Sequence, residues 1–538
     1  MGRGNVRPMN MPGTLLLAVL CCCMAAEARG AAPADGTSCQ VDPYPSELVQ
    51  KSGLYELPAD PAARTSLIRF KTRDGHTLNA YTYRATGFSE SDGPMVFVLH
   101  GAARNAIDYL NRFKPIAEQH GALAIAPEFP DTIYGPGSDR YTLAVSRGRP
   151  IYSGTYMPWL WRAPDRYLYS EIEHLFEAVR QELKSSRCTY GIWGHSAGGQ
   201  FVHRLVTFLP GARVDSAVAV NSGFYTLPSY GNGSDPNYSM PYGLKGTPLG
   251  EEDVRRLLEA PLVVLVGEHD TETGEESESV RDSKYANYQG LNRRERAEFY
   301  FKTGKREALR LGLRFGWRFA VIPGAGHSAR RVGPSAAWYL FQPPDAQPCT
   351  PTPAGQARGL VINEIYGDPA GGLAGDANRD GTRDPQGDEF VELVNASDRD
   401  ICLSGWYLTD AASPERHRFP IGSLLPAGKA LVVFGGGVPT GAFGEAEVQT
   451  AFSSGELNLN NDGDVLTLAD ADGKAYQRIS WGDCAGRECA EEHIASPINI
   501  NQSLSRWPEA KGPFTPHRKI TGDSAYSPGT RAGGKLFE

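Results

Sequence analysis

At 538 residues the chain is long enough for roughly two to four domains, which excludes a small scaffold held together only by disulfides. Its 54 Lys+Arg against 62 Asp+Glu give a formal charge of −8, so there is no general basic surface for nucleic acid, and no nucleic-acid partner is expected. A hydrophobic share of 41% with 22% charged residues is that of a globular chain rather than a collagen, a coiled coil or a disordered polymer.

The first predicted element is a leader. Arg3 and Arg7 are followed by an apolar run from Thr14 to Ala26 and by the small-x-small pattern Ala26-Glu27-Ala28, which predicts a secretory signal peptide over residues 1–28. The run is too short to span a bilayer, which takes about 20 apolar residues, so a secreted or periplasmic mature chain without a transmembrane segment is expected. Six cysteines then remain, an even number in an oxidising compartment, and disulfides are expected. Cys484 and Cys489 are close enough in a loop to pair. Cys39 and Cys349 flank one large folded region whose ends should lie near each other, so they are the second expected pair. Cys188 and Cys402 are left to bridge domains or to stay as thiols.

Over residues 40–342 continuous apolar runs alternate with helical segments. MVFVLH (95–100), ALAIAPEF (122–129), TYGIWGHS (189–196), SAVAVNSG (216–223), PLVVLVGEHD (261–270) and RFAVIPGAGH (318–327) read as strands buried on both faces of a mostly parallel sheet. Segments 169–183 and 198–209 carry apolar residues at helical spacing, and Pro210-Gly211 ends the second. This predicts an α/β fold with a doubly wound sheet. Residues 343–358 are rich in proline and poor in large apolar residues, a linker. From 359 to 535 short strands separated by Gly, Pro, Asn and Asp clusters predict an all-β sandwich.

Gly194-His195-Ser196-Ala197-Gly198 fits G-x-S-x-G between a strand and an amphipathic helix, the setting in which a sharp turn presents a serine at the carboxyl edge of a sheet. A serine hydroxyl is a weak nucleophile without a base, and the partners should follow in the order acid, histidine. Asp270, at the end of PLVVLVGEHD, and His327, in the loop GAGHSA, fill those places: the histidine to shuttle the proton, the aspartate to orient it. Glu268 and His269 compete for the role of the acid or base but fit a structural part. Charge developing on the substrate oxygen needs two fixed N–H donors. Ala102, after His100-Gly101, and Ala197 are the candidates, with Ala103 the rival of Ala102. His100 and His195 are read as supports of these loops.

LHGAARN, GHSAGG, GEHDTET and PGAGHS together resemble an α/β-hydrolase, close to the secreted esterases grouped with polyhydroxybutyrate depolymerases and feruloyl esterases. The resemblance spans roughly residues 50–342 and implies a carboxylic-ester substrate, small or polymeric, and no catalytic cofactor. Polyester depolymerases of that group usually carry a cysteine where this chain has Ala102. An aromatic insertion with Tyr156, Trp159 and Trp161 falls where such folds carry a cap. These side chains either line an acyl or aryl cleft or pack the cap onto the sheet.

The run from VINEIYGDP through GWYLTD to QSLSRWP resembles a lamin tail domain, which implies an all-β, immunoglobulin-like sandwich. The resemblance implies a non-catalytic accessory module for attachment to a surface or polymer, with Trp406 in its core. Within it Asp376, Asn378, Asp380, Thr382 and Asp384 alternate around Gly381, the spacing of a calcium loop. The twelfth position is Gly387, so Asp388 or Glu389 has to complete the shell, and a structural calcium ion is expected there. Two other readings compete with the esterase: a peptidase or amidase using the same triad, and an adhesion protein with an inactive hydrolase domain.

Overall fold

The computed structural model describes residues 39, 41–50, 64–143, 161–232, 235–451 and 456–538. The expected signal peptide and the candidate substrate residues Tyr156 and Trp159 lie outside them. Among the described residues no helix is long and apolar enough to cross a membrane.

The first unit is a twisted sheet of nine strands among the described residues: β1 (Glu47–Gln50), β2 (Thr65–Lys71), β3 (Thr77–Arg84), β4 (Met95–Leu99), β5 (Leu123–Pro127), β6 (Tyr190–His195), β7 (Val214–Val220), β8 (Leu262–Gly267) and β9 (Arg318–Ile322). Their spatial order is β1-β2-β3-β5-β4-β6-β7-β8-β9. The strands from β5 to β9 run parallel, and β1 to β3 form an antiparallel edge. The central strands are buried on both faces, with alternate side chains feeding opposite layers. Met95, Phe97 and Leu99 of β4 face one core, Val96 and Val98 the other.

Six longer helices cover the two faces. Helices α1 (Ala106–Gln119) and α6 (Ala329–Phe341) pack on the Val96 side; α2 (Ser170–Glu182), α3 (Ala197–Phe208), α4 (Glu251–Glu259) and α5 (Arg293–Leu311) cover the other. This is the expected doubly wound architecture. All six predicted parallel strands are present within a few residues of their predicted bounds. The antiparallel edge was not foreseen, because β2 and β3 carry polar residues on one face and lack the continuous apolar signature.

The second unit is all β. One sheet has the spatial order Glu447–Thr450, Ala430–Phe434, Phe390–Asn395, Leu360–Tyr366, Leu504–Arg506, Phe514–Pro516; the facing sheet has His417–Arg418, Tyr407–Thr409, Gly463–Ala469, Ala475–Gly482, Glu492–Ile494. Trp406 and Trp481 are fully buried between them with Leu393, Leu431, Leu466 and Ile479. The indole N–H of Trp406 donates to the carbonyl of Thr352 at 2.9 Å. The ring thus fills the core while its polar atom ties down the end of the linker.

The disulfides differ from the expected set in one respect. Cys484 pairs with Cys489 as predicted, but Cys39 pairs with Cys188 and Cys349 with Cys402, at Cα separations of 5.1 and 5.9 Å. The Cys39–Cys349 pairing assumed that both residues belong to the ends of the first unit. Cys349 instead belongs to the second, because the linker after it pairs with Cys402: Thr352 N–H donates to Cys402 O at 2.9 Å and Cys402 N–H to Thr352 Oγ1 at 3.0 Å. Each unit therefore carries its own bridges, and among the described residues none crosses between them.

Buried carboxyls mark the sandwich. Glu364 and Glu392 face each other across neighbouring strands; burial pushes Glu364 up to about 7 and Glu392 well above the usual range, and it pushes Glu389 up to about 9. A carboxyl whose folded pKa is raised stabilises the fold fully below its unfolded value and loses that contribution as pH rises through the folded one. Between about pH 4.5 and 6.5 buried neutral histidines act in the opposite sense. Burial depresses His100 to about 3 and His417 to about 4, and their contribution is lost as pH falls. Above pH 7 the raised carboxyls act in one direction with His174, which its hydrogen bond to Asp42 raises against the opposing effect of burial, so the melting temperature should fall by several degrees between pH 7 and 9. Scanning fluorimetry checks this: Glu389→Gln should flatten the decline, and a flat wild-type profile would rule the account out.

Candidate active site

Strand β6 ends at His195, the chain turns at Ser196, and α3 begins at Ala197. Ser196 sits at φ 58°, ψ −116°, a conformation unfavourable for a side-chain-bearing residue. The flanking glycines make the turn possible. A Cβ on Gly194 would lie 2.3 Å from the carbonyl of Gly198, and one on Gly198 would lie 2.4 Å from the carbonyl of Leu99. The turn lifts the hydroxyl above the carboxyl ends of the parallel strands, where the loops after β8 and β9 also arrive.

The Ser196 hydroxyl donates to His327 Nε2 at 3.1 Å, and His327 Nδ1–H donates to Asp270 Oδ2 at 2.8 Å. Asp270 is buried; Ser196 and His327 are partly exposed. The acid lies three residues beyond the end of β8 rather than within it, and the histidine lies in the loop between β9 and α6. Glu268 and His269 are outside this chain of bonds. Glu268 accepts from Gly324 N–H at 2.9 Å and so buttresses the histidine loop.

Three residues that the sequence reading passed over complete the site. Arg293, at the first position of α5, donates to Asp270 Oδ1 at 3.0 Å and to Ser279 O and Oγ at 2.8 and 2.9 Å, and both partners of this ion pair are buried. Asn221, at the end of β7, accepts from Gly267 N–H at 2.8 Å and donates to Gly326 O at 3.1 Å, joining the acid and histidine loops. Tyr109 of α1 bonds His195 Nδ1 at 3.2 Å, and its hydroxyl would stand 2.6 Å from a Cβ on Gly101. A side chain at position 101 would therefore push the Tyr109 hydroxyl off His195. Arg293 had a sequence signal. On α5 it shares a stripe with Ala297 and Tyr300 that faces the core, and an arginine on a buried stripe needs a buried anion.

His195 lies against His327, ring centroids 4.7 Å apart. Burial, then the neighbouring His327, Arg293 and Arg112, hold it well below the usual imidazole range, so it adds no charge beside the His327 ring. His100 is also neutral, held down to about 3 by burial. Its Nε2 accepts from Phe129 N–H at 3.2 Å and its Nδ1 bonds Gly101 O at 3.0 Å, which fixes the loop carrying Ala102 and Ala103. Both alanines line a cavity of about 560 Å³ beside Ser196 and His327. Ala197 is the first residue of α3, where backbone N–H groups have no intrahelical acceptor. Trp161 is not part of the cavity wall. It packs on Phe208 and donates to Gly246 O at 3.1 Å.

Two solved structures are similar to the first unit. A poly(aspartic acid) hydrolase from Sphingomonas sp. KT-1 is 30% identical, covering 52% of this chain and 98% of its own, with a TM-score of 0.46. A poly(3-hydroxybutyrate) depolymerase from Bordetella parapertussis is 31% identical, covering 52% and 91%, with a TM-score of 0.45. The chain belongs to the α/β-hydrolases. Behind the hydrolase unit, residues 353–483 match the lamin tail domain family. No curated protein matches the chain. This α/β-hydrolase is thus an enzyme of the serine-hydrolase type with a β-sandwich attached, the two units meeting where Arg331 of α6 pairs with Glu415 at 3.0 Å and Ile421 N–H donates to Ser335 Oγ at 3.2 Å.

In the sandwich the expected calcium loop is closed on its own amides. Asn378 Oδ1 accepts from Asp380 N–H, Asp380 Oδ1 from Thr382 N–H, and Asp384 Oδ1 from Gln386 and Gly387 N–H. Among the described residues no three acidic side chains of this loop come within 4.8 Å of one another. Asp376 Oδ1 is buried without a hydrogen-bond partner. Burial, with the charges of Asp376 and Asp380, pushes Asp388 up to about 6.

Proposed function

We propose that the protein is a secreted carboxylic-ester hydrolase working through an acyl-enzyme on Ser196. The observation that carries this reading is the unbroken Ser196–His327–Asp270 chain at 3.1 and 2.8 Å on a G-x-S-x-G turn. Ser196 Oγ attacks the ester carbonyl while His327 Nε2 takes its proton; the oxyanion rests on the N–H groups of Ala102 and Ala197. His327 then gives the proton to the departing alkoxide, and water, deprotonated by the same ring, releases the acid. The residues need no cofactor for these steps. Export is supported by the leader pattern at 1–28 and by three disulfides. The sandwich is the attachment module for a surface or polymer.

Amide cleavage is the second reading. It is favoured by the likeness to a hydrolase of poly(aspartic acid), and the same proton shuttle serves an amine leaving group. A fluorophosphonate probe followed by a matched panel of esters and amides separates the cases. Labelling of the wild type that is lost in Ser196→Ala, with esters turned over fastest, supports the proposal. Folded wild type that does not label would falsify it and favour an adhesion protein.

We also propose that Asp376, Asp380 and Asp388, with the rest of loop 376–384, take a structural calcium ion. Their mutual repulsion and the unpartnered Asp376 oxygen support this. EGTA should lower the melting temperature of the sandwich by several degrees, and calcium should restore it. An unchanged melt means that the loop is stabilised by its own amides alone.

A further inference from the structure

The bonds around His195 fix which of its nitrogens carries the proton, and this leaves one donor near Ser196 without an acceptor. Asn221 Oδ1 accepts from Gly267 N–H at 2.8 Å, which settles the orientation of the Asn221 amide. Its nitrogen donates to Gly326 O at 3.1 Å and to His195 Nε2 at 3.4 Å, so both of its hydrogens are used. His195 Nε2 is therefore an acceptor. The ring is neutral, held far below the usual imidazole range first by burial and then by the charges of His327 and Arg293. A neutral imidazole whose Nε2 accepts carries its proton on Nδ1, and here Nδ1–H donates to the Tyr109 hydroxyl at 3.2 Å.

The Tyr109 oxygen accepts that bond, so its own proton has to go elsewhere. Burial pushes the hydroxyl up to about 12, against the pull of Arg112 over the ring, so it stays protonated at neutral pH. Among the described residues no acceptor meets it. A donor with no partner in an otherwise satisfied network points to a molecule in the adjoining space. That space is the cavity beside Ser196, which Tyr109 lines together with Gly101, Ala102, Ser196 and His327. The hydroxyl would stand 2.6 Å from a Cβ on Gly101, next to the residue that precedes Ala102 and its expected oxyanion amide. The chain Asn221–His195–Tyr109 ties the acid and histidine loops to the oxyanion loop. Nothing in it has to ionise or move during the reaction, which is what a donor aimed at developing charge requires.

Building on the hydrolase reading above, we propose that Tyr109 is a catalytic residue: its hydroxyl donates a third hydrogen bond, beside those of Ala102 and Ala197, to the oxyanion formed when Ser196 attacks. The proton is shared with that oxygen and not transferred. His195 and Asn221 are positioning residues. They make the phenol oxygen an acceptor and so turn its proton towards the substrate.

The test pairs 4-nitrophenyl butyrate with its thiono counterpart on the full chain; in the latter, sulfur replaces the carbonyl oxygen and accepts hydrogen bonds only weakly. Tyr109→Phe should lower kcat/KM on the oxoester about 100-fold, the worth of one oxyanion donor, and on the thionoester by no more than about threefold. The preference for oxygen over sulfur should therefore collapse while the melting temperature stays close to that of the wild type. Equal losses on both esters would make Tyr109 an anchor of the loop, and an unchanged oxoester rate would remove it from the reaction. Either result overturns the proposal and leaves the hydrolase reading intact. A wild type that turns over neither ester overturns both. If the phenylalanine variant does not fold, or the thionoester is too slow to follow, 3-fluorotyrosine placed at position 109 alone decides. Its more acidic phenol is a stronger donor, so the oxoester rate should rise, and a rate that stays level or falls overturns the proposal.

Discussion

Ser196→Ala and His327→Ala are each expected to lower kcat on an activated ester by about 10⁴-fold or more, with KM little changed. The two hydroxyl–imidazole partners act as one device, since the nucleophile is generated only as the ring takes its proton. Removing either therefore leaves only what the oxyanion donors and substrate binding supply. For the same reason the double variant should be scarcely worse than either single one. Stopped assays on purified variants with matched melting temperatures check both statements. A His327→Ala enzyme retaining a tenth of the wild-type rate would mean that another group serves as base. Two histidine rings beside the site are excluded from that part by their bonding: His195 is buried against Tyr109 and Asn221, and His100 is bonded to Phe129 and Gly101.

The constellation of Ser196, His327 and Asp270 was legible because each member lies in the turn or loop that follows a strand that announces itself. An apolar run of β-branched and aliphatic residues, followed by glycine and a polar residue, marks the carboxyl edge of a parallel sheet, where functional side chains collect. Order along the chain then gave each its expected role. The strands β4 to β9 were legible for the same reason: β4, β5, β6 and β8 are buried along their whole length, and β7 and β9 are apolar runs behind a polar or charged start, β9 only partly buried. Strands β2 and β3 were not, since their outward residues break the run.

What the sequence concealed lies in contacts between distant segments. Cys349 reads as the end of the hydrolase unit, yet the backbone of Thr352 joins it to the sandwich. The alternating Asp and Asn residues of 376–384 read as a ligand set, yet such side chains also cap the backbone two residues on, and here several do so. Arg112, Arg330 and Arg331 are far apart in sequence or sit in an ordinary charged run; only the packing of α1 beside α6 brings them to one cavity.

Arg293 should prove the most consequential residue outside the triad. Arg293→Met leaves the Asp270 carboxylate buried with only His327 as a partner. Breaking a buried ion pair in this way costs about 3–5 kcal/mol, which in a unit of this size lowers the melting temperature by about 10 °C. Arg293 is a positioning residue and acts through Asp270, so a second readout separates its part in orienting His327 from a merely structural one. In the methionine variant, assayed well below its melting transition, kcat should fall about 10-fold to 100-fold with KM little changed, the cost of a misplaced proton shuttle. Arg293→Lys retains the charge but loses the fork that reaches both Asp270 and Ser279, so it should recover part of kcat and only part of the melting temperature. A methionine variant that melts low but keeps the wild-type kcat would reduce Arg293 to a packing role.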